Sequence, residues 1–235
     1  IVHQLEQSAH VAQRPPIKRR PDIEQAPLSF GQQRLWFFEQ INPGTQANNM
    51  PVAIKIKGAL DCSVLRKAFF ELCRRHESLR TSFLAGSDGV PVQLIHSESQ
   101  IELEVEDISA LEPTELDARL DDLIRENSQA PIALTAAPLM RAKVVVTSNA
   151  PNEQYLLLCM HHIISDGASQ VVLFRELMTL YVAYISDQPS PLPELMIQYP
   201  DFAHWQRQWL DDEAMASQLE YWRQQLADAP LLLDL

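Results

Sequence analysis

The chain has 235 residues, 46% of them hydrophobic and 21% charged. That mixture carries enough apolar surface to offset chain entropy, which excludes disorder over most of the length and allows one large domain or two small ones. With 19 basic against 31 acidic side chains the net charge is −12, so the clustered Lys and Arg that grip nucleic-acid phosphates are lacking and no nucleic-acid partner is expected.

Residues 1–10 read as the tail of a helix, without the basic start, apolar run and cleavage site of a secretory signal. Residues 11–27 hold Pro15, Pro16, Pro21 and Pro27 and the basic run Lys18-Arg19-Arg20, which predicts a solvated, proline-rich linker following an upstream domain. Ser29 opens a helical pattern that Asn42-Pro43-Gly44 stops, with Phe30, Leu35, Trp36 and Phe37 or Phe38 on one side. Residues 51–57 alternate as a half-buried strand. Asp61 caps a helix to His76, with Leu65, Ala68, Phe69 and Leu72 inward. Strands are expected at 79–84 and 90–96 around the turn Ser87-Asp88-Gly89, and at 101–106. An acidic helix follows at 112–128, its charges on a solvated face. Strands at 139–146 and 154–160 come next, the second nearly all apolar and therefore central. Helices are predicted at 169–185, 199–210 and 215–227, with a break at Pro189, Pro191 and Pro193. The expected fold is α+β, a mixed sheet with flanking helices. The lobe would span 28–190, and 191–235 would be helices crossing toward a further lobe. The apolar end Pro230–Leu235 reads as a cut inside a larger chain.

No apolar run approaches the ~18 residues that span a bilayer. The three cysteines, Cys62, Cys73 and Cys159, sit among apolar residues in no metal-like spacing, which predicts buried free thiols in a reducing cytoplasm.

The segment Cys159-Met-His-His-Ile-Ile-Ser-Asp-Gly167 carries the chemistry. An apolar strand runs into two histidines, then Asp and Gly, then a helix. Acyl transfer needs a group that takes a proton from a nucleophile or stabilises developing charge, and a histidine held at a strand's end can do either. Neighbouring strand residues face opposite ways, so His161 and His162 cannot both face one cleft if the strand continues through them. Asp166 has three open roles: orienting the histidine, capping the helix, or pairing with an arginine. Gly167 permits a tight turn and close backbone approach. Zinc would need a third ligand that nothing nearby supplies, and no nucleophile elbow of a Ser-His-Asp hydrolase is present.

These residues resemble the HHxxxDG signature of condensation domains of nonribosomal peptide synthetases, in the superfamily of chloramphenicol acetyltransferase. Four segments resemble the family's motifs in order: Leu28-Ser-Phe-Gly-Gln-Gln-Arg-Leu-Trp36, Arg75-His-Glu-Ser-Leu-Arg-Thr-Ser-Phe83, Met160–Ser169 and Tyr199-Pro-Asp-Phe-Ala-His-Trp205. The resemblance implies one chloramphenicol acetyltransferase-like lobe of two, with the active site in a tunnel between them. It implies no cofactor on the lobe itself. Substrates would ride on the 4′-phosphopantetheine of upstream and downstream peptidyl carrier domains, with the second lobe and an adenylation domain in the same synthetase. It assigns His162 to the reacting centre, His161 to structural support, Arg80 to a pair with Asp166 that holds the histidine loop, and Gly167 to close approach of the reacting groups. Trp36, Phe37, His76, Glu77, His96, His204 and Trp205 read as packing or structural hydrogen-bonding residues, while Gln33 and Arg34 either line the lobe or anchor the first helix. Ala168 stands where many relatives carry Trp. An epimerisation domain, an inactive module that only recruits carriers, and a free-standing acyltransferase are the rivals. By itself the lobe is expected to be inactive.

Overall fold

The run Tyr155-Leu-Leu-Leu-Cys-Met160 lacks the alternation of a half-buried strand, and the computed structural model, which describes residues 15–22, 24–149, 152–210 and 212–230, shows the cause. The strand lies inside a sheet with both faces covered. In chain order the elements are β1 (Gln25–Pro27), α1 (Phe30–Ile41), β2 (Asn49–Lys57), α2 (Cys62–Arg75), a 3-10 turn (Glu77–Arg80), β3 (Thr81–Ala85), β4 (Pro91–Ile95), β5 (Leu103–Asp107), α3 (Pro113–Gln129), β6 (Met140–Asn149), β7 (Asn152–His161), α4 (Gly167–Ile185), α5 (Tyr199–Trp209) and α6 (Asp212–Gln225). One sheet has the order β2-β7-β6-β5, antiparallel except for the β5–β6 pair; the other is antiparallel with the order β1-β4-β3. The α+β class expected from sequence is the one observed, with the strands divided between two sheets.

Side-chain alternation sorts β7 onto two cores. Leu156, Leu158 and Met160 join Ala142 and Val144 beneath α2 and α4, where Phe69, Leu72, Leu177 and Leu180 are buried. Leu157 points the other way with Val145 and Ile108, covered by Leu120 and Leu123 of α3. Each such fully buried side chain contributes about 1.5–3 kcal/mol of apolar transfer. Asp61 caps α2 through the amides of Ser63 and Val64. Among the described residues no helix is long and apolar enough to cross a membrane.

The segment expected as a solvated linker departs most from expectation. Arg20 is buried, and Gln25–Pro27 pair with β4 as an edge strand, a place that tolerates the missing Pro27 amide. The expectation of solvation weighed local composition alone, whereas two acids distant in sequence, Glu77 and Asp201, hold Arg20 inward. Residues 77–80, partly expected as strand, form a 3-10 turn. The boundary drawn at 190–191 also divides what the structure packs together, since α5 lies against β1 and the 3-10 turn. The expected helix tail at 1–10 and the apolar end at 231–235 lie outside the described residues.

Candidate active site at the end of β7

β7 ends at His161, and His162 opens the turn that follows it. The His161 amide bonds Leu139 O (3.0 Å) and the His162 amide bonds Asn48 O (2.8 Å), so the strand is held on both sides to its last residue. His161 turns inward and is fully buried. Its Nδ1 accepts from the Ile163 amide at 3.1 Å, and burial followed by the neighbouring His162 lowers its pKa to about 4. His161 is thus held neutral inside the fold. His162 turns outward and is exposed. Its Nδ1 lies 2.6 Å from Ser165 O, a carbonyl that can only accept, so Nδ1 carries a proton and the neutral tautomer has its lone pair on Nε2.

His162 lines a depression of about 200 Å³ with Gly31, Gln32, Arg34 and Leu35 of α1, the loop Ile163–Asp166, Ser169 and Tyr199. The α1 end is fixed by a capping box: Ser29 Oγ accepts from the Gln32 amide (3.1 Å) and Gln32 Oε1 from the Ser29 amide (3.0 Å). Gln32 Nε2 then reaches Ile163 O (3.3 Å) and Gln93 Oε1 (3.1 Å), tying α1 to the histidine loop and to β4. Tyr199 OH meets Ser29 Oγ at 3.0 Å. A second cavity of about 220 Å³, lined largely by apolar side chains such as Leu79, Met160, Val172, Leu173 and Ile197, shares Ile164, Ser165, Ser169 and Tyr199 with the first.

The pairing of Asp166 with Arg80 is not formed. Asp166 caps α4, accepting from the Ser169 amide (2.7 Å) and hydroxyl (2.6 Å), and those bonds hold its carboxyl below the usual range. Arg80 donates to His96 O and comes within 3.8 Å of Glu77. A helix N-terminus beside Asp166 supplies donors that need no distant partner, which is why the cap wins. Gly167 begins α4, and a Cβ built there meets nothing within 4 Å. Nothing in this chain's own packing demands glycine at that position; its open side faces space beyond the chain.

Gln33 accepts from Arg207, His96 bonds Ser82, and His76 meets Glu176 at 2.7 Å. Trp36 is buried and Phe37 half-exposed. Among the described residues no three His, Cys, Asp or Glu side chains form a group that could hold a metal. Burial raises the thiol pKa of Cys159, and that of Cys73 to about 11. Sequence reasoning missed Ser165 and the bridging role of Gln32. The spacing Ser29-x-x-Gln32 was a readable capping-box signal, whereas a backbone acceptor such as Ser165 O leaves no trace in residue type.

The family described as Condensation domain matches residues 22–234. Among curated proteins, a linear gramicidin synthase of Brevibacillus parabrevis is 44% identical over 94% of this chain and 4% of its own length. Malpinin synthetase of Mortierella alpina is 38% identical over 94% of this chain and 3% of its own. Phosphinothricin tripeptide synthetase PhsC of Streptomyces viridochromogenes is 37% identical over 94% and 20%. The chain therefore spans a small part of these relatives. Of solved structures, the X-domain of teicoplanin biosynthesis, in complex with OxyB, matches with TM-score 0.78 and 28% identity over 92% of this chain and 46% of its own. The starter condensation domain of rhizomide synthetase RzmA matches in fold with TM-score 0.76 and 20% identity over 88% and 49%.

Proposed function

The chain belongs to the condensation-domain family, and on that premise we propose that it is one lobe of an amide-forming domain in a modular peptide synthetase. The donor is an acyl or peptidyl thioester and the acceptor an aminoacyl thioester, each on the phosphopantetheine arm of a carrier domain. One carrier precedes the lobe through the proline-rich segment. The second lobe and an adenylation domain follow, and the whole works in the cytoplasm. The observation that carries this reading is the exposed His162 in the wall of the depression, with Nδ1 engaged by Ser165 O so that Nε2 is the nitrogen left for a substrate.

The chemistry follows from that nitrogen. The acceptor amine must be neutral to attack. Nε2 takes a hydrogen bond or a proton from it as its nitrogen bonds to the thioester carbonyl carbon. The carbon–sulfur bond breaks, and the proton ends on the departing thiol. Asp166, by capping α4, and Gln32, by holding Ile163 O, keep the loop that presents His162. Gly167 leaves room beside the reacting groups.

The test joins this chain to the remaining lobe and loads aminoacyl groups on donor and acceptor carriers, with products read by mass spectrometry. A dipeptidyl thioester is expected. His162→Ala should lower its rate by roughly 10²–10⁴-fold, the usual worth of a positioned acid–base group. Gly167→Ala should stabilise the fold slightly, as Gly to Ala does where the backbone allows it, yet lower the rate. Exchange of an α-proton with solvent and no amide would instead establish an epimerisation domain. A second reading is favoured by the X-domain match, since that protein was solved bound to OxyB: a module that recruits partners without catalysis. Binding of carriers or other proteins, with no product and no effect of His162→Ala, would establish it.

A further inference from the structure

The match to the family begins at residue 22, yet the fold draws in residues upstream of it. Trp205 Nε1 donates to Pro15 O at 2.6 Å, and Pro15, Pro16 and Pro21 lie in a groove with His204, Trp205 and Trp209. Arg20 then enters the protein. Its side chain is 2% exposed, and one guanidinium nitrogen bonds both Glu77 Oε2 and Asp201 Oδ1 at 2.8 Å, the two acids being 4% and 0% exposed. The Arg20 amide adds a 3.2 Å bond to Asp201 Oδ1. Arg19, half in solvent, completes the set with Glu77 Oε1 at 2.5 Å and Asp201 Oδ2 at 3.0 Å. Two buried carboxylates are thus neutralised chiefly from a segment outside the matched domain.

Those acids sit at the root of the candidate site. Asp201 is in the first turn of α5 and accepts from the Gln198 amide at 2.8 Å. Gln198 in turn bonds Arg75 O (2.8 Å) and the Glu77 amide (3.0 Å). Between Gln198 and Asp201 stands Tyr199, which reaches Ser29 Oγ and walls both the His162 depression and the neighbouring cavity. The first turn of α5 is therefore clamped by Arg20 on one side and presents Tyr199 to the site on the other.

We propose that residues 15–20 form a strap that sets the geometry of the His162 site through α5, with Arg20, Glu77 and Asp201 as positioning residues. Removing Arg20 leaves two buried carboxylates short of their main partner, which they can relieve only by admitting water, taking protons or moving α5. Movement of α5 carries Tyr199 with it. The chain entering the domain is then coupled to the site rather than merely tethered to it. The inference concerns geometry and holds whichever reaction the site performs.

The test uses the whole chain and needs no condensation assay. Ring signals of His162 and Tyr199 are recorded by NMR in the parent chain and in Arg20→Met, Arg20→Lys, Arg19→Met and Trp205→Phe. Leu123→Ala, in the α3 cluster on the far face of the sheet, is the control for lost stability. Arg20→Met is expected to shift both rings and to lower the melting temperature by on the order of 10 °C. Trp205→Phe and Arg19→Met should shift the rings less, in the same direction. Arg20→Lys should return them part of the way, because lysine restores the charge without the planar fork. Leu123→Ala should melt lower with both rings unmoved. The proposal is overturned if Arg20→Met melts lower but leaves both rings at parent positions, since the strap would then only stabilise. It is equally overturned if Arg20→Met changes neither. Should Arg20→Met fail to fold, the milder Trp205→Phe and Arg19→Met decide by the same criterion.

Discussion

Two neighbouring histidines, the last residue of a strand and the first of the turn after it, show how one side-chain type acquires opposite properties from its place. His162 keeps a free nitrogen in the open, whereas His161 is sealed beneath the sheet with its Nδ1 accepting from Ile163. The folded chain keeps His161 neutral down to about pH 4, while the unfolded chain takes the proton near 6.5. Between those values the unfolded state binds more protons, so stability rises with pH across the window and is lost on acidification from 6.5 toward 4. The full loss is about 3 kcal/mol. Urea midpoints measured across this window should drop as the pH is lowered from 6.5 toward 4 in the parent chain. In His161→Asn, whose amide oxygen can still accept from Ile163, that slope should flatten. Asp201 and Glu176 do not mimic it at the upper end. Burial raises both carboxyl pKa values, but amide and guanidinium bonds outweigh it at Asp201, as bonds to His76 and Arg75 do at Glu176, so their contribution is lost only at lower pH. The strand running into the two-histidine pair was legible in its apolar residues, whereas its end at His161 was not. The partner of Asp166 was not: its residue type suits a cap and an ion pair equally, and only the Ser169 amide beside it decides for the cap.

Elements were legible wherever their own periodicity set them. The cap at Asp61, the inward row Leu65, Ala68, Phe69 and Leu72, and the apolar run of β7 each follow from residues within one element. What failed to show were features made between elements. β1 is a strand only because β4 lies beside it, and α1 is fixed less by its modest apolar stripe than by one buried amide. Gln32 serves four groups at once: the Ser29 amide and hydroxyl at its own helix end, Gln93 Oε1 on β4 and Ile163 O in the histidine loop. Gln32→Met preserves volume and helix propensity but strands those side-chain partners in a buried place. A loss of about 2 kcal/mol is expected, the usual cost of an unsatisfied buried polar group. Because Ile163 follows His162, hydrogen exchange should quicken at the Ile163 and Ile164 amides before it does in β6. Unchanged exchange there would mean that Gln32 does not hold the loop.

At the scale of the whole molecule, surface charge and surface apolarity oppose each other. α4 carries Val171, Met178, Val182 and Ile185 on its outer side, and α1 carries Phe37, Phe38 and Ile41, with Ile41 77% exposed. Met178, Val182 and Ile185 fall at helical spacing and form one stripe, with the exposed Arg175 standing between them and Val171. Contiguous apolar surface of this kind drives association in water, while a net charge of −12 keeps copies apart. Repulsion between exposed charges is screened by salt, whereas apolar contact is not weakened by it and is strengthened by sulfate. Sedimentation at rising salt should therefore show a monomer at low ionic strength and growing association at high, more with sulfate than with chloride. Val182→Glu should reverse the trend more than Phe38→Glu if the α4 stripe is the contact, since it places a charge in the middle of that stripe. A molecule that stays monomeric in concentrated sulfate would show that neither face is apolar enough to outweigh the remaining charge.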